Sequence, residues 1–240
     1  MLALCVMFIL LYKMNKPRMR VIKDPDIILS PGGLLGFYVL GICHFIKNNY
    51  NIKSKKTIGF SAGALNSIFL SLDKQYDVLF LRELFKLNLN GNMPIPYLLN
   101  KTVDLIHKIF DINMFDTSQK YIAVTMDYNK LVGYDHFLNL KDMTNCCISS
   151  SFIPFITYRD LFYFYNGQCC VDGGLLYPYY KRNVGISKKI LYLNYKIFKR
   201  FNRYNIPGFC LLKRNYSIYE LYMLGYSDAT RNKHILDEYF

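Results

Sequence analysis

Apolar residues along this chain fall alternately into short runs and helical stripes, and that alternation predicts the architecture. Asp26-Ile-Ile-Leu-Ser30 is a brief apolar run closed by Pro31-Gly32-Gly33, which reads as a buried strand entering a tight glycine turn. From Gly36 to Asn48 the apolar positions Phe37, Leu40, Gly41 and Phe45 stand at helical spacing. Thr57 to Phe60 and Ala62 to Leu72 repeat the unit of strand, turn and helix. Two such units in succession predict an α/β fold, a mostly parallel central sheet flanked by helices.

Further along, Asp77 to Leu89 and Tyr97 to Phe110 read as helices separated by the breakers Gly91, Pro94 and Pro96. Tyr121 to Asp127 is a strand, and Leu131 to Phe137 returns beside it as a hairpin. Leu140 to Ser151 is a helix stopped before Pro154, and Leu161 to Tyr165 and Cys169 to Val171 are short strands around Asn166-Gly167. Lys189 to Tyr195 is one more strand, and Ser217 to Tyr239 closes the chain as helix. No internal repeat and no Ser/Gly linker interrupts this order, so residues 23–240 read as one domain.

The first residues read differently. Met1 to Tyr12 is almost wholly apolar and is followed by Lys13, Lys16, Arg18 and Arg20, so residues 1–22 form a greasy segment with a basic flank. The run is shorter than the roughly 20 residues that span a bilayer, and its charges follow it where a secretory signal has them in front. Two readings remain: an interfacial anchor, or a helix packed on the body.

Charge strengthens the membrane reading. The chain carries 30 basic and 17 acidic residues, a net of +13, and Lys181 to Phe240 alone holds 12 Lys and Arg against 4 Asp and Glu. Nucleic acid and an anionic membrane are the generic partners of such a field. No zinc finger, RNA-recognition signature or basic zipper is present, which puts the membrane first. Seven cysteines, among them the neighbours Cys146-Cys147 and Cys169-Cys170, lack both disulfide-framework and zinc spacing. A reducing, intracellular compartment is expected, with no metal or cofactor.

The candidate chemistry begins at Gly59-Phe60-Ser61-Ala62-Gly63, between a predicted strand and a predicted helix. A serine at such a turn projects its side chain clear of the backbone, and the following helix offers free N–H groups. Acyl transfer needs this nucleophile, a base within hydrogen-bond reach, and donors for the developing oxyanion. Asp172, in Asp172-Gly173-Gly174 after a predicted strand, is the candidate base, because burial raises a carboxylate's proton affinity. Gly32, Gly33 and Leu34, in the glycine turn before a helix, are the candidate oxyanion donors. A triad of Ser61, Asp172 and His234 is the rival constellation, although His234 lies in a polar, solvent-facing helical end. The turn from Pro31 to Gly36 lacks the Lys-Ser/Thr of a phosphate-binding loop.

Together the three motifs resemble those of the patatin-like phospholipases, with softer matches at Val124-Thr-Met-Asp127 followed by Gly133 and at Ser149-Ser-Ser-Phe-Ile-Pro154. The likeness runs from about Asp26 to Pro178. It implies a three-layer α/β/α fold and a lipid acyl hydrolase working through a Ser-Asp dyad without histidine. Ser61 would be the nucleophile, Asp172 its base, and Gly32, Gly33 and Leu34 the oxyanion site, with Gly59, Gly63, Gly173 and Gly174 as motif glycines. Two positions depart from the pattern: Pro31 stands where the family has its first glycine, and Leu35 where a Lys or Arg is usual. Those departures support a second reading, a catalytically weak lipid-binding protein of the same fold. A soluble esterase or thioesterase is a third.

Overall fold

Three consecutive apolar residues can all be buried only where both faces of a strand are covered, and Ile27–Leu29 (β2) is buried throughout. In the computed structural model, which describes residues 18–87, 93–184, 189–201 and 216–240, β2 is an interior strand of a mixed, mostly parallel sheet. Its strands run Arg18–Arg20 (β1), Lys130–Tyr134 (β5), Lys120–Met126 (β4), Thr57–Phe60 (β3), β2 and Leu191–Leu193 (β8). The pairs β1–β5, β4–β3, β3–β2 and β2–β8 are parallel, and β5 folds back antiparallel on β4 as the expected hairpin. Tyr163–Tyr165 (β6) and Gln168–Val171 (β7) form a second hairpin that joins β4 through β7.

Alternate residues of the strands enter different cores. Ile27, Leu29, Ile122, Val124 and Met126 join the larger one, covered by the helices Gly36–Asn49 (α1), Ala62–Ser71 (α2), Asp77–Lys86 (α3), Ile95–Ile109 (α4), Leu140–Ser150 (α5) and Ile218–Arg231 (α7). Ile28, Ile58, Phe60 and Ala123 join a smaller one under the short helix Tyr177–Asn183 (α6). Lys233–Asp237 (α8) ends the order. The strands and helices expected from the periodicity recur within a few residues, save that the last helical segment is broken at Asn232.

Two elements had no counterpart in the pattern. Arg18–Arg20, read as basic flank, forms the exposed edge strand β1, and Tyr177–Asn183 forms α6. Met1 to Tyr12, read as an interfacial anchor or a helix packed on the body, lies outside the described residues, as do residues 88–89 of the third predicted helix. Among the described residues no helix is long and apolar enough to cross a membrane.

One buried cation joins three helices on the larger-core side. Lys47 of α1 donates to the Phe69 and Leu72 carbonyls at the end of α2, at 3.0 and 2.6 Å, and to Asp77 at the start of α3 at 2.5 Å. Both ends of this pair are almost inaccessible, and burial draws the lysine's proton affinity down and the aspartate's up. The pair fixes where α1, α2 and α3 meet, and α2 begins at the candidate nucleophile.

Candidate active site

The strand registers bring Ser61 and Asp172 together. β3 runs along one edge of β4 and stops at Phe60, opposite Ala123. The other edge of β4 belongs to β5. β7 therefore joins the edge that β3 has vacated, running the opposite way, with Cys170 opposite Met126 and Val171 opposite Thr125. The chain leaves β3 at Ser61 and arrives from β7 at Asp172, both abreast of Val124. Residues 111 positions apart meet because two strands share one edge head-on.

Ser61 has φ 55° and ψ −124° at the N-terminus of α2, a conformation that costs of order 1–3 kcal/mol for a residue with a side chain. The flanking glycines make the turn possible. A Cβ on Gly59 would fall 2.2 Å from the Gly63 carbonyl oxygen, and one on Gly63 would fall 2.3 Å from that of Leu29. Ser150, fully buried at the end of α5, holds the turn from behind. Its Oγ accepts the Ser61 N–H at 3.0 Å and donates to the Ala123 carbonyl at 2.6 Å.

The Ser61 hydroxyl donates to Asp172 Oδ2 at 2.6 Å, while Oδ1 accepts the Gly174 N–H at 2.5 Å. The backbone N–H of Asp172 is anchored on the Phe152 carbonyl at 2.7 Å, and Gly173 is buried against Ala123. Burial pushes the Asp172 carboxyl up to about 7, against the lowering effect of its bonds from Ser61 and Gly174. A carboxylate poised near neutrality, already hydrogen-bonded to a serine hydroxyl, is suited to take that proton as the oxygen attacks.

Gly33 has φ 53° and opens a single 3-10 turn, Gly33–Leu35, that leads into α1. The amides of Gly33 and Leu34 make no hydrogen bond among the described residues, and both residues line the cleft that contains Ser61. Gly32 is buried behind them, beside the Tyr195 ring. Ala62, first residue of α2, also lines the cleft with an unpartnered amide, a donor that the glycine pattern alone had not singled out. Pro31 packs on Gly174, and Leu35 packs against the larger core.

The cleft is open to solvent on one side and spans about 570 Å³, the open part included. Its walls include Phe37, Leu65, Ile95, Leu98, Leu99 and Ile153, with Thr102, Ser151 and Thr157 among them. The Ser151 hydroxyl is buried without a hydrogen-bond partner among the described residues. Tyr158 donates to Asn100 at 2.6 Å and so ties the loop after α5 to α4 across this wall. Two apolar stretches lie near the site in sequence, Pro94 to Leu99 and Leu175 to Tyr180, and the first contributes Ile95, Leu98 and Leu99 to the wall. The other does not: Leu176 and Tyr180 are packed in the smaller core.

No histidine touches the dyad. His234 is exposed on α8, and His136 pairs with its neighbour Asp135. His107 meets Thr144 at 2.8 Å. His44 is stacked on Tyr222, and burial lowers its proton affinity to about 4. Among the described residues no group of acidic, Cys or His side chains is arranged to hold a metal ion. No protein-family model matches the chain, and no curated protein matches it in sequence.

Proposed function

We propose that this protein is a lipid acyl hydrolase of the patatin-like phospholipase kind, cleaving fatty-acyl esters of phospholipid or lysophospholipid through Ser61 and Asp172. The observation that carries the reading is the 2.6 Å bond from the Ser61 hydroxyl to Asp172 at a strained elbow that opens on an apolar cleft. Asp172 takes the Ser61 proton as Oγ bonds to the ester carbonyl carbon. The carbonyl oxygen gains the negative charge and is met by the free amides of Gly33, Leu34 and Ala62. Collapse breaks the ester C–O bond, and the departing alcohol leaves with the proton from Asp172. Water then attacks the acyl-enzyme, giving Asp172 a proton that returns to Ser61 as the fatty acid departs. The apolar cleft wall accommodates the acyl chain.

The three-layer α/β/α arrangement of that family, and a place on an intracellular membrane surface, belong to the same proposal. Net charge of +13 supports the membrane part. The purified chain should release fatty acid from mixed phospholipid vesicles, and Ser61→Ala should not. Equal release by both proteins would exclude the assignment.

A second reading is favoured by Leu35, whose apolar side chain packs on the core where the family usually has a cation. In that reading the cleft binds acyl lipid with little turnover. Vesicle binding without fatty-acid release from any lipid class would select it. Release only from short soluble esters or thioesters would select a soluble esterase.

A further inference from the structure

A second cavity, half open to solvent, lies at the β1 edge of the sheet, with walls that include Arg20, Lys130, Met126, Tyr134 and Gln168. Strand register explains why basic side chains gather there. Arg18 is opposite Lys130 and Arg20 opposite Val132 across β1 and β5. Lys130 is opposite Met126 across β5 and β4, and Met126 opposite Cys170 across β4 and β7. Cross-strand partners share a face, as do residues two apart on one strand. Arg18, Arg20, Lys130, Tyr134 and Gln168 therefore belong to one face of the sheet.

Among the described residues no carboxylate answers these cations. Lys56, Lys86, Lys189 and Lys233 at the surface each meet an acidic partner, whereas Arg18, Arg20 and Lys130 form no ion pair among the described residues. Asp127, at the β4–β5 turn, makes no ion pair with Lys130. Like charges set opposite one another across strands repel, and that repulsion is relieved when an anion sits between them. The Tyr134 oxygen accepts from the Asn166 side chain and its hydroxyl makes a 3.6 Å contact to the Met126 sulfur, while the Gln168 side-chain amide makes no hydrogen bond among the described residues. Two neutral donors thus stand beside the charges.

We propose that this cavity binds a phosphate group, with the Arg20 fork and the Lys130 ammonium on its oxygens and Tyr134 and Gln168 donating beside them. The phosphate is either a free anion or the headgroup of a lipid. The site shares β4 with the dyad but no residue, and Met126 lies roughly 10 Å along the strand from Ala123. It does not rest on the acyl-hydrolase reading.

The full chain and its Arg20→Gln/Lys130→Gln variant are melted in inorganic phosphate and in chloride of equal ionic strength. Both are also floated with phosphatidylcholine vesicles, with and without phosphatidic acid. A phosphate-specific rise in Tm that the variant lacks assigns the site to the free anion. Flotation that depends on phosphatidic acid, and falls about tenfold in the variant, assigns it to the headgroup. Identical behaviour of the two proteins with both probes overturns the proposal. The variant's turnover of a short soluble ester is expected to equal wild type, which keeps this test apart from that of the dyad. Should the double variant not fold, Lys130→Gln alone is judged by the same two readouts.

Discussion

Asp172 sets the behaviour of the site at the scale of a single residue. Its carboxyl, raised to about 7 by burial, must be ionised to accept the serine proton, so kcat/KM should climb through about pH 7 and level off above it. The linkage has the opposite sign for stability. A carboxyl whose folded pKa exceeds the usual 3.8 contributes stability below that value, and the contribution is lost as pH rises through about 7. Asp172→Asn does not titrate. Its Tm should match or approach wild type at pH 4 and exceed it at pH 8, by at most about 4 kcal/mol in stability, while turnover is abolished. A flat difference in Tm between the two pH values would contradict the raised pKa. Ser150 carries the next prediction, because its hydroxyl is the one link between the Ser61 amide and β4. Ser150→Ala should lower kcat by roughly tenfold or more with KM little changed, and cost about 1–3 kcal/mol through the unpaired polar groups. An unchanged kcat in a folded Ser150→Ala protein would show that the elbow holds its geometry without that bridge.

At the scale of elements, the helices α1 and α7 cross backbone to backbone at Gly41 and Gly225. A Cβ on Gly225 would fall 1.9 Å from the Tyr38 carbonyl oxygen, and one on Gly41 would fall 2.1 Å from that of Tyr222. Gly225→Ala must push the helices apart, and a loss of about 2 kcal/mol or more in urea unfolding is expected. A neutral effect would mean that the crossing has slack. Elements also show what can be read from sequence. β2, β3, α1 and α2 were legible because apolar runs and helical stripes alternate cleanly, and the elbow was legible because glycines bracket a serine between them. β1 was not, since Arg18-Met19-Arg20 is exposed on an edge and no apolar face marks it. α6 was hidden because its burial reduces to Tyr180 under a polar surface. Ser150 was hidden for a third reason: one hydroxyl in a run of three serines carries no spacing signal, and its role exists only once α5 lies on β4.

For the whole molecule, the large positive charge and the apolar start of the chain make separate predictions. Basic residues near an anionic surface contribute about 1 kcal/mol each and are screened by salt, whereas apolar insertion is not. Binding to anionic vesicles should weaken as salt rises and persist in part for the full chain. Complete indifference to anionic lipid at low salt would reassign the basic surface to ordinary solvation. What no linear motif shows is the meeting of β3 and β7 on one edge of β4, which turns two separated motifs into one site. Because that meeting is the central claim, its most direct test is chemical. The full chain is treated with a fluorophosphonate, which phosphonylates an activated serine, and the modified peptide is located by mass spectrometry. Label on Ser61, absent from Ser61→Ala and strongly slowed in Asp172→Asn, is the predicted result. Label elsewhere, or labelling of Ser61 at the same rate without Asp172, would contradict the dyad.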